Sequence, residues 1–207
     1  MPSHAALVTA GGKGSRIREL GVEKPLVPIA GVPMIDRILG ELGRSKRLDK
    51  TYVSVSPLAP RTRQHLEGMD VIIIDTPGNG YVSDLNGSMA AIEEDAVLVC
   101  PSDMPLITAE AVNALIESYD ERARPSLTVA LPPKVIESLG LIVTYIEEID
   151  GKKLTFCGVS VVDRKEMLTG NFLPGGYYVT EKEEFAVNVN TVHDLRLAER
   201  VLEDRSG

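Results

Sequence analysis

The sequence predicts an α/β fold with a mostly parallel central sheet. Short β-branched runs alternate along the chain with amphipathic stretches of helical spacing, which is the pattern of strands joined by crossover helices. A glycine-rich loop directly follows the first apolar run, residues 4–9, as in open α/β sheets that bind ligands at the carboxyl ends of their strands. We therefore expect one Rossmann-like domain over residues 1–207, with helices on both faces of the sheet and a small mixed or antiparallel extension.

The spacing of apolar residues gives the order of the elements. From Pro33 to Leu42 it is helical, and Pro33 suits a first helical turn. Glycines punctuate the region from residue 133 to residue 187, which predicts short strands and turns there. A strand over residues 185–189 is expected to lead into a last helix over residues 194–202. The other predicted strands are residues 51–56, 71–75, 96–100 and 126–131, and the other predicted helices are residues 61–68, 84–92 and 108–121.

The charge of the chain argues against a nucleic-acid partner. The 22 lysines and arginines are outnumbered by 30 acidic residues, which gives a net charge of −8. Proteins that bind duplex nucleic acid by releasing counterions are usually basic. The loop from Gly11 to Lys24 differs from the rest, because it carries four cationic and two acidic side chains. A locally basic loop on an acidic protein suits a small polyanion.

The cysteine content and the apolar runs indicate the compartment. Cys100 and Cys157 form no CxxC pair and have no histidine cluster near them in the sequence, so neither a disulfide framework nor a zinc site is predicted. No leader-like segment and no transmembrane run is recognisable. We expect a cytoplasmic protein, and the sequence leaves its oligomeric state open, a homodimer included.

The loop after the first predicted strand has the features of a phosphate-binding site. Gly11, Gly12 and Gly14 allow backbone amides to approach phosphates closely, and cationic side chains are interleaved with them. The loop is neither a Walker A motif nor a dinucleotide fingerprint, because Ile17 occupies the place of the third glycine of GxGxxG. The alternative is a turn in which the glycines and charges are incidental.

The segment GGKGSR, followed by a Lys-Pro pair, resembles the signature of nucleotidyltransferases that act on nucleoside triphosphates. This resemblance implies that the loop from Ala10 to Gly14 binds the nucleotide and that Lys13, Arg16 and Lys24 are catalytic. The loop amides, Lys13 and Arg16 would hold the β- and γ-phosphates, and Lys24 would contact the α-phosphate. The residues implicated in the loop are Ala10, Gly11, Gly12, Lys13, Gly14, Arg16 and Lys24.

An aspartate follows the predicted strand 96–100 in the segment PSDMP. Magnesium prefers carboxylate and phosphate oxygens, so Asp103 and a bound triphosphate could hold one Mg²⁺ ion. The alternative is a turn that begins at Ser102 or Asp103 ahead of Pro105. The same superfamily uses this aspartate for metal, which implies a catalytic and metal-binding role for Asp103.

A second metal ligand is expected before the last helix. Relatives have a DVNT-like element there, and this chain has NVNT, so Asn188 takes the place of the usual carboxylate. An amide is a weaker ligand for magnesium than a carboxylate. Asn190 could position the metal instead, or Asn190 and Thr191 could cap the last helix.

The segment GYVSDLN precedes or begins a helix and is expected to bind the base. The resemblance places the base here, so Gly80, Asp84 and Asn86 are expected to contact the nucleotide. A carboxylate at Asp84 could accept hydrogen bonds from N1–H and N2–H₂ of guanine, a pair of donors that adenine lacks. The alternative is that Asp84 caps a helix over residues 85–92.

Taken together, GGKGSR, VEKPLVPIAGVPMID, GYVSDLN and NVNTVHDLRLAERVL resemble the archaeal GTP:adenosylcobinamide-phosphate guanylyltransferases over almost the whole chain. The resemblance implies GTP and adenosylcobinamide phosphate as substrates, Mg²⁺ as cofactor and a role in cobalamin biosynthesis. It also implies a nucleotide-binding half over about residues 1–105 and an acceptor-binding half over about residues 106–207.

Three alternatives stay open on the sequence alone. Molybdenum cofactor guanylyltransferases share the loop, the aspartate and the helix ending, but the GYVSDLN segment argues against them. Sugar-1-phosphate nucleotidyltransferases are usually longer. A GTP-binding sensor that has lost turnover belongs to a different class of protein, and Asn188 in place of an acidic ligand is the reason to consider it.

Overall fold

The computed structural model describes residues 2–12, 14, 17, 20–122 and 124–206. Two of the predicted catalytic residues, Lys13 and Arg16, lie outside the described residues. The strands are β1 (His4–Thr9), β2 (Pro28–Ile29), β3 (Val32–Pro33), β4 (Lys50–Val55), β5 (Ile72–Asp75), β6 (Ala96–Pro101), β7 (Ser126–Leu131), β8 (Glu147–Ile149), β9 (Lys152–Asp163) and β10 (Gly175–Val179). The α-helices are α1 (Met34–Arg44), α2 (Pro60–Leu66), α3 (Tyr81–Ala91), α4 (Ala109–Arg122), α5 (Pro133–Ser138), α6 (Arg164–Leu168) and α7 (Val192–Ser206).

A twisted, mostly parallel sheet forms the centre of the protein. Its strands lie in the order β10-β7-β9-β6-β1-β4-β5, and β8 pairs with β9. β9 runs antiparallel to β6 and β7, whereas β1 is parallel to both β4 and β6. β8 and β9 are joined by Asp150 and Gly151, both with positive φ, as a type I′ hairpin turn requires. The predicted α/β fold with a small antiparallel extension is confirmed.

Helices cover both faces of this sheet. On one face, alternate residues of the central strands, such as Val8, Val53 and Leu98, pack against α1, α4 and α7. On the other face, Leu7 and Val99 pack against Met89 of α3 in a smaller cluster. This two-sided burial explains why the central strands read as nearly continuous apolar runs instead of alternating ones.

The loops that follow β1, β5 and β6 meet at one edge of the sheet. These strands point the same way, so Ala10, Thr76 and Asp103, which come after them, lie at the same carboxyl edge. The predicted meeting of the three loops is confirmed, because residues from all of them line one cavity.

The interpretation of residues 133–187 as short strands and turns was wrong in part. This segment contains helices α5 and α6 and the 12-residue strand β9, whose Val159 and Val161 are fully buried. Gly158 does not end a strand. It has φ +85°, and a Cβ atom there would lie 3.1 Å from Cγ of Pro101, so the glycine marks a close approach between β9 and β6.

The predicted strand over residues 185–189 does not exist. Glu183–Phe185 form a turn of 3₁₀ helix, and the residues after it have no regular structure. The alternating apolar side chains of this segment, including Phe185 and Val187, are buried in the core without joining a ladder. The backbone bonds to a loop instead, since the N–H of Val189 donates to the carbonyl of Asp103 over 2.9 Å.

None of the helices in the described part of the chain is long and apolar enough to cross a membrane.

Truncation of Phe185 should strongly destabilise the protein. Its side chain is fully buried and packs edge-on against Tyr178, with the ring centroids 6.5 Å apart. We expect Phe185→Ala to lower the free energy of unfolding by about 3–5 kcal/mol, as buried Phe-to-Ala changes generally do. Urea denaturation measures this change in the free energy of unfolding. Phe172→Ala is the matched control, because Phe172 is 90% exposed, and equal midpoints for the two variants would contradict the packing described.

Candidate active site

The phosphate-binding loop begins where β1 ends and lies close against its neighbours. A Cβ atom at Gly11 would lie 3.2 Å from Cβ of Ser56, whose hydroxyl donates to the carbonyl of Gly11 over 2.8 Å. Gly14 has φ +54°, and a Cβ atom there would lie 2.9 Å from Cβ of Lys24. Glycine is therefore required at Gly11 for space and at Gly14 for both space and backbone conformation.

A network of four polar side chains lies beside this loop. Nζ of Lys24 donates to Oδ2 of Asp103 over 2.6 Å and to Oδ1 of Asn190 over 2.9 Å. Nδ2 of Asn188 donates to the other carboxylate oxygen of Asp103 over 3.0 Å and to the carbonyl of Cys157 over 3.1 Å. Both oxygens of the Asp103 carboxylate thus have partners. Three separate segments of the chain meet at this point: the loop after β1, the loop after β6 and the segment before α7.

The segment before α7 is held in place by its own cap. The carboxylate of Asp194 accepts hydrogen bonds from the N–H groups of Asn190 and Thr191 over 2.9 and 2.8 Å. The capping role considered for Thr191 is confirmed, because its hydroxyl accepts from the N–H of Asp194 in the first turn of α7 over 3.2 Å. Asn190 does not share this role. The side chain of Asn190 remains directed at Lys24.

Glu23 fixes the chain immediately before Lys24. Its carboxylate accepts from the N–H of Arg61 over 2.9 Å and from both the N–H and the hydroxyl of Thr62 over 2.7 Å. Burial alone would raise the pKa of Glu23, but these hydrogen bonds outweigh it and lower the pKa below the ordinary 4.5. Lys24 itself opens a turn of 3₁₀ helix with Pro25 buried behind it. The position of Lys24 is therefore set from both sides.

The loop after β5 and the start of α3 form the other end of the site. Thr76 is anchored on β4, because its N–H and its hydroxyl both donate to the carbonyl of Val55, over 2.7 and 2.9 Å. Oδ1 of Asp84 accepts from the N–H of Gly78 over 3.1 Å. The helix begins at Tyr81, with Gly80 at its N-cap, so Asp84 is in the first turn and is not the cap of a helix over residues 85–92. Gly80 has φ +124°, which permits this earlier start.

These parts enclose a cavity of about 440 Å³. Most of the residues predicted from the sequence line it together, namely Ala10, Gly11, Gly12, Gly14, Lys24, Gly80, Asp84 and Asp103. Asn86 is exposed and is not among the described residues that line the cavity. Asn188 lines a neighbouring cavity and reaches the site through its bond to Asp103.

Several residues of the site were missed by the sequence reasoning. Thr76 and Gly78 line the cavity, and Glu23 positions Lys24. Thr76 directly follows a predicted strand, at the edge where ligands bind, and that position could have indicated it. Glu23 had no such signal, because its partners Arg61 and Thr62 are almost 40 residues away in the sequence.

The cysteines take no part in chemistry here. Both are buried. Burial raises the pKa of Cys157 to about 12 and also raises the pKa of Cys100. A thiolate nucleophile near neutral pH is therefore excluded at both positions.

Residues 6–145 match the model of the MobA-like NTP transferase domain. The chain belongs to this nucleotidyltransferase family. It is 30% identical to the adenosylcobinamide-phosphate guanylyltransferase of Methanocaldococcus jannaschii, and that alignment covers 95% of this chain and 96% of its relative. It is also 30% identical to the bifunctional protein GlmU of Bacillus mycoides, over 58% of this chain and 26% of that protein.

Solved structures of nucleotidyltransferases share the fold. CMP:2-keto-3-deoxy-manno-octonic acid synthetase complexed with CTP superposes with a TM-score of 0.76 at 16% identity, covering 98% of this chain and 99% of the other. This likeness shows the fold. The family match and the full-length relative confirm the sequence resemblance to nucleotidyltransferases, and the chain is an enzyme of this type.

In this nucleotidyltransferase, loss of the Glu23 anchor should slow turnover more than it weakens nucleotide binding. Glu23→Ala frees the segment that holds Lys24, and misplacement of a positioned group by about 1 Å can cost about 100-fold in rate. We expect kcat to fall by about 10- to 100-fold, measured as pyrophosphate release at saturating nucleotide. Glu67→Ala is the matched control, because Glu67 pairs with Arg63 near the other end of α2. Equal kcat values for the two variants would remove Glu23 from this role.

The lowered pKa of Glu23 also predicts a pH dependence of stability. A carboxyl group whose pKa is lower in the folded state stabilises the fold above its unfolded pKa, and this contribution is lost as the pH falls through the folded pKa. The difference in unfolding free energy between wild type and Glu23→Gln should therefore be constant above about pH 5.5 and shrink below the ordinary value of 4.5. Urea denaturation at several pH values measures it. A difference that grows towards low pH would contradict the assignment.

Proposed function

We propose that this nucleotidyltransferase transfers GMP from GTP to adenosylcobinamide phosphate, which yields adenosylcobinamide-GDP and pyrophosphate in cobalamin biosynthesis. The observation that carries the proposal is the ion pair between Lys24 and Asp103, which lines the same cavity as the glycine loop. The full-length similarity to the M. jannaschii guanylyltransferase supports GTP and the corrinoid as substrates.

The reaction requires positioning and charge stabilisation more than acid–base chemistry. An oxygen of the acceptor phosphate forms a bond to the α-phosphorus of GTP, while the bond from that phosphorus to the leaving pyrophosphate breaks. A phosphate monoester is largely ionised near neutral pH, so no general base is needed. The amides of Gly11 and Gly12 would hold the triphosphate, and Lys24 would stabilise the charge that builds on the α-phosphate. Lys13 and Arg16 are proposed to hold the β- and γ-phosphates.

Magnesium is the proposed cofactor, and Asp103 is its proposed ligand. Within the described residues there is no group of three or more histidine, cysteine, aspartate or glutamate side chains that could hold a metal ion. A single carboxylate together with the triphosphate suits Mg²⁺, which keeps several water ligands and readily binds phosphate oxygens. Bound there, Mg²⁺ would neutralise charge on the triphosphate. Asp103 would hold the ion, and Lys24 would be available to the α-phosphate.

Asn188 is better suited to orient Asp103 than to bind metal directly. Its amide nitrogen, which cannot bind a cation, faces the carboxylate and the carbonyl of Cys157. We propose that Asn188 aims the Asp103 carboxylate in place of the acidic residue found in relatives. In this role Asn188 stays beside the proposed metal site without a negative charge of its own.

The base is proposed to bind between the loop after β5 and the start of α3. Asp84 is half-buried there, and one of its carboxylate oxygens is held by the N–H of Gly78. The carboxylate can accept further hydrogen bonds, and guanine offers N1–H and N2–H₂ where adenine offers no such pair. Asn86 is exposed on α3, and its contact with the nucleotide stays part of the proposal. The division of the chain into a nucleotide half and an acceptor half is part of the same proposal.

Pyrophosphate release tests the proposal directly. The wild-type protein is incubated with Mg²⁺ and each of the four nucleoside triphosphates, with and without adenosylcobinamide phosphate. Release from GTP that depends on the acceptor is the expected result. Turnover with molybdopterin instead would make the protein a molybdenum cofactor guanylyltransferase, and GTP binding without turnover on any acceptor would make it a sensor.

Replacement of Asp84 by asparagine should selectively weaken GTP. Asp84→Asn keeps one oxygen for the N–H of Gly78. It replaces the other carboxylate oxygen, which would accept from guanine, with an NH₂ group that can only donate. We expect the dissociation constant for GTP to rise by about 10- to 100-fold and that for ATP to change little, because a missing partner leaves donors of the base unpaired. Calorimetric titration of both nucleotides measures this difference. Ser83→Ala, at the exposed neighbouring position, is the control. Equal losses of affinity for GTP and ATP would mean that Asp84 only holds the loop through Gly78 and does not contact guanine.

A further inference from the structure

Ser56 is a buried residue behind the wall of the nucleotide cavity, the cavity of about 440 Å³ in which we place the triphosphate. It directly follows β4 and is 5% exposed. Ser54 and Leu58, two positions away on either side, are among the described residues that line this cavity, and Ser56 is not. β4 pairs with β1 on one side and with β5 on the other. Ser56 therefore lies between the loop after β1 and the loop after β5.

The hydroxyl of Ser56 sets the direction of one peptide group in the loop after β1. Oγ of Ser56 donates to the carbonyl of Gly11 over 2.8 Å and accepts from the N–H of Leu58 over 3.2 Å. The peptide bond that joins Gly11 to Gly12 is trans and planar, so its carbonyl and its N–H point in opposite directions. The hydrogen bond from Ser56 therefore turns the N–H of Gly12, a residue that lines the cavity, away from Ser56.

Two glycines from different loops pack against the Cβ atom of Ser56. A Cβ atom at Gly11 would lie 3.2 Å from it, and a Cβ atom at Gly78 would lie 3.3 Å from it. Carbon atoms in optimal contact are about 3.5–4.0 Å apart, so each loop approaches Ser56 as closely as a glycine allows. The size of the Ser56 side chain therefore sets how far apart the two loops lie.

The two loops carry the two ends of the proposed nucleotide site. The loop after β1 contributes the amides of Gly11 and Gly12, which are proposed to hold the triphosphate. In the loop after β5, the N–H of Gly78 donates over 3.1 Å to Asp84, whose carboxylate is proposed to accept from guanine. The ribose limits the distance between the base and the phosphates of one nucleotide. Both loops can therefore bind the same molecule only when their separation matches that distance.

We propose that Ser56 is a positioning residue for the nucleotide, which it does not itself contact. Its hydroxyl orients the N–H of Gly12 towards the phosphates, and its Cβ atom sets the separation between the phosphate end and the base end of the site. This proposal rests on the proposed function and adds to it the residue that adjusts the two ends to one molecule. A larger side chain at position 56 leaves each end intact but mismatched to the other. Loss of the hydroxyl alone leaves the separation unchanged and affects only the phosphate end.

Calorimetric titration with GTP and with inorganic tripolyphosphate, both in the presence of Mg²⁺, tests the two roles of Ser56 separately. Tripolyphosphate probes the phosphate end alone, whereas GTP requires both ends. Ser56→Thr keeps the hydroxyl and adds a methyl group, so we expect the dissociation constant for GTP to rise by about tenfold and that for tripolyphosphate to stay within about twofold. Ser56→Ala removes only the hydroxyl, so we expect both dissociation constants to rise by the same factor, about three- to tenfold.

Ser126→Thr is the matched control. Ser126 is also buried and close to a glycine, because a Cβ atom at Gly175 would lie 2.9 Å from its Oγ. β7 and β6 both run antiparallel to β9 and therefore point the same way, so Ser126, at the start of β7, lies at the opposite edge of the sheet from the nucleotide cavity. The affinities of Ser126→Thr for both ligands should equal those of the wild type.

Three results would overturn the positioning role of Ser56. They are equal losses of affinity for GTP and tripolyphosphate in Ser56→Thr, wild-type affinity for GTP in either Ser56 variant, and binding of GTP but not of tripolyphosphate by the wild-type protein. If the wild-type protein binds a different nucleoside triphosphate in place of GTP, the proposed function fails, and the same comparison with that nucleotide decides the role of Ser56. If it binds none, both proposals fail.

Discussion

The ion pair between Lys24 and Asp103 is the interaction on which the organisation of the site depends. These residues lie almost 80 positions apart, yet their charged atoms are 2.6 Å apart. Two independent supports converge on the pair: Glu23 ties the Lys24 segment to α2, and Asn188 ties the Asp103 carboxylate to β9. Without a triphosphate, each charge satisfies the other. With a triphosphate and a metal bound as proposed, each charge would have a better partner, and the pair would keep the site assembled in their absence.

The topology of the sheet explains why two cavities adjoin at Asp103 and Asn188. Strands β1, β4, β5 and β6 present their carboxyl ends to the nucleotide cavity. β9 runs in the opposite direction next to β6, and its first half therefore lies at the same edge. Gly158 allows this strand to pass close to Pro101, and the residues just before it line the second cavity. Lys24 from the first half of the chain and Asn188 from the second half thus meet at Asp103.

The sequence predicted the features that depend on neighbouring residues and missed those that depend on contacts between distant segments. The strands β1, β4, β6 and β7 were predicted to within about a residue, because a buried parallel strand is a short apolar run that periodicity can detect. Lys24 and Asp103 were predicted from motifs that follow strands. Glu23 could not be, because its role exists only through residues of α2 that the fold brings to it. The segment 185–189 was misassigned for a related reason, since burial of alternate apolar residues looks the same whether or not a neighbouring strand is present.

The most direct measurement is a crystal structure of the wild-type protein with Mg²⁺ and a GTP analogue that cannot be cleaved at the α-phosphate. We expect Nζ of Lys24 to lie on an α-phosphate oxygen instead of Asp103, the Asp103 carboxylate to bind the metal, and guanine to face Asp84. A triphosphate bound elsewhere, with the ion pair between Lys24 and Asp103 intact, would contradict it.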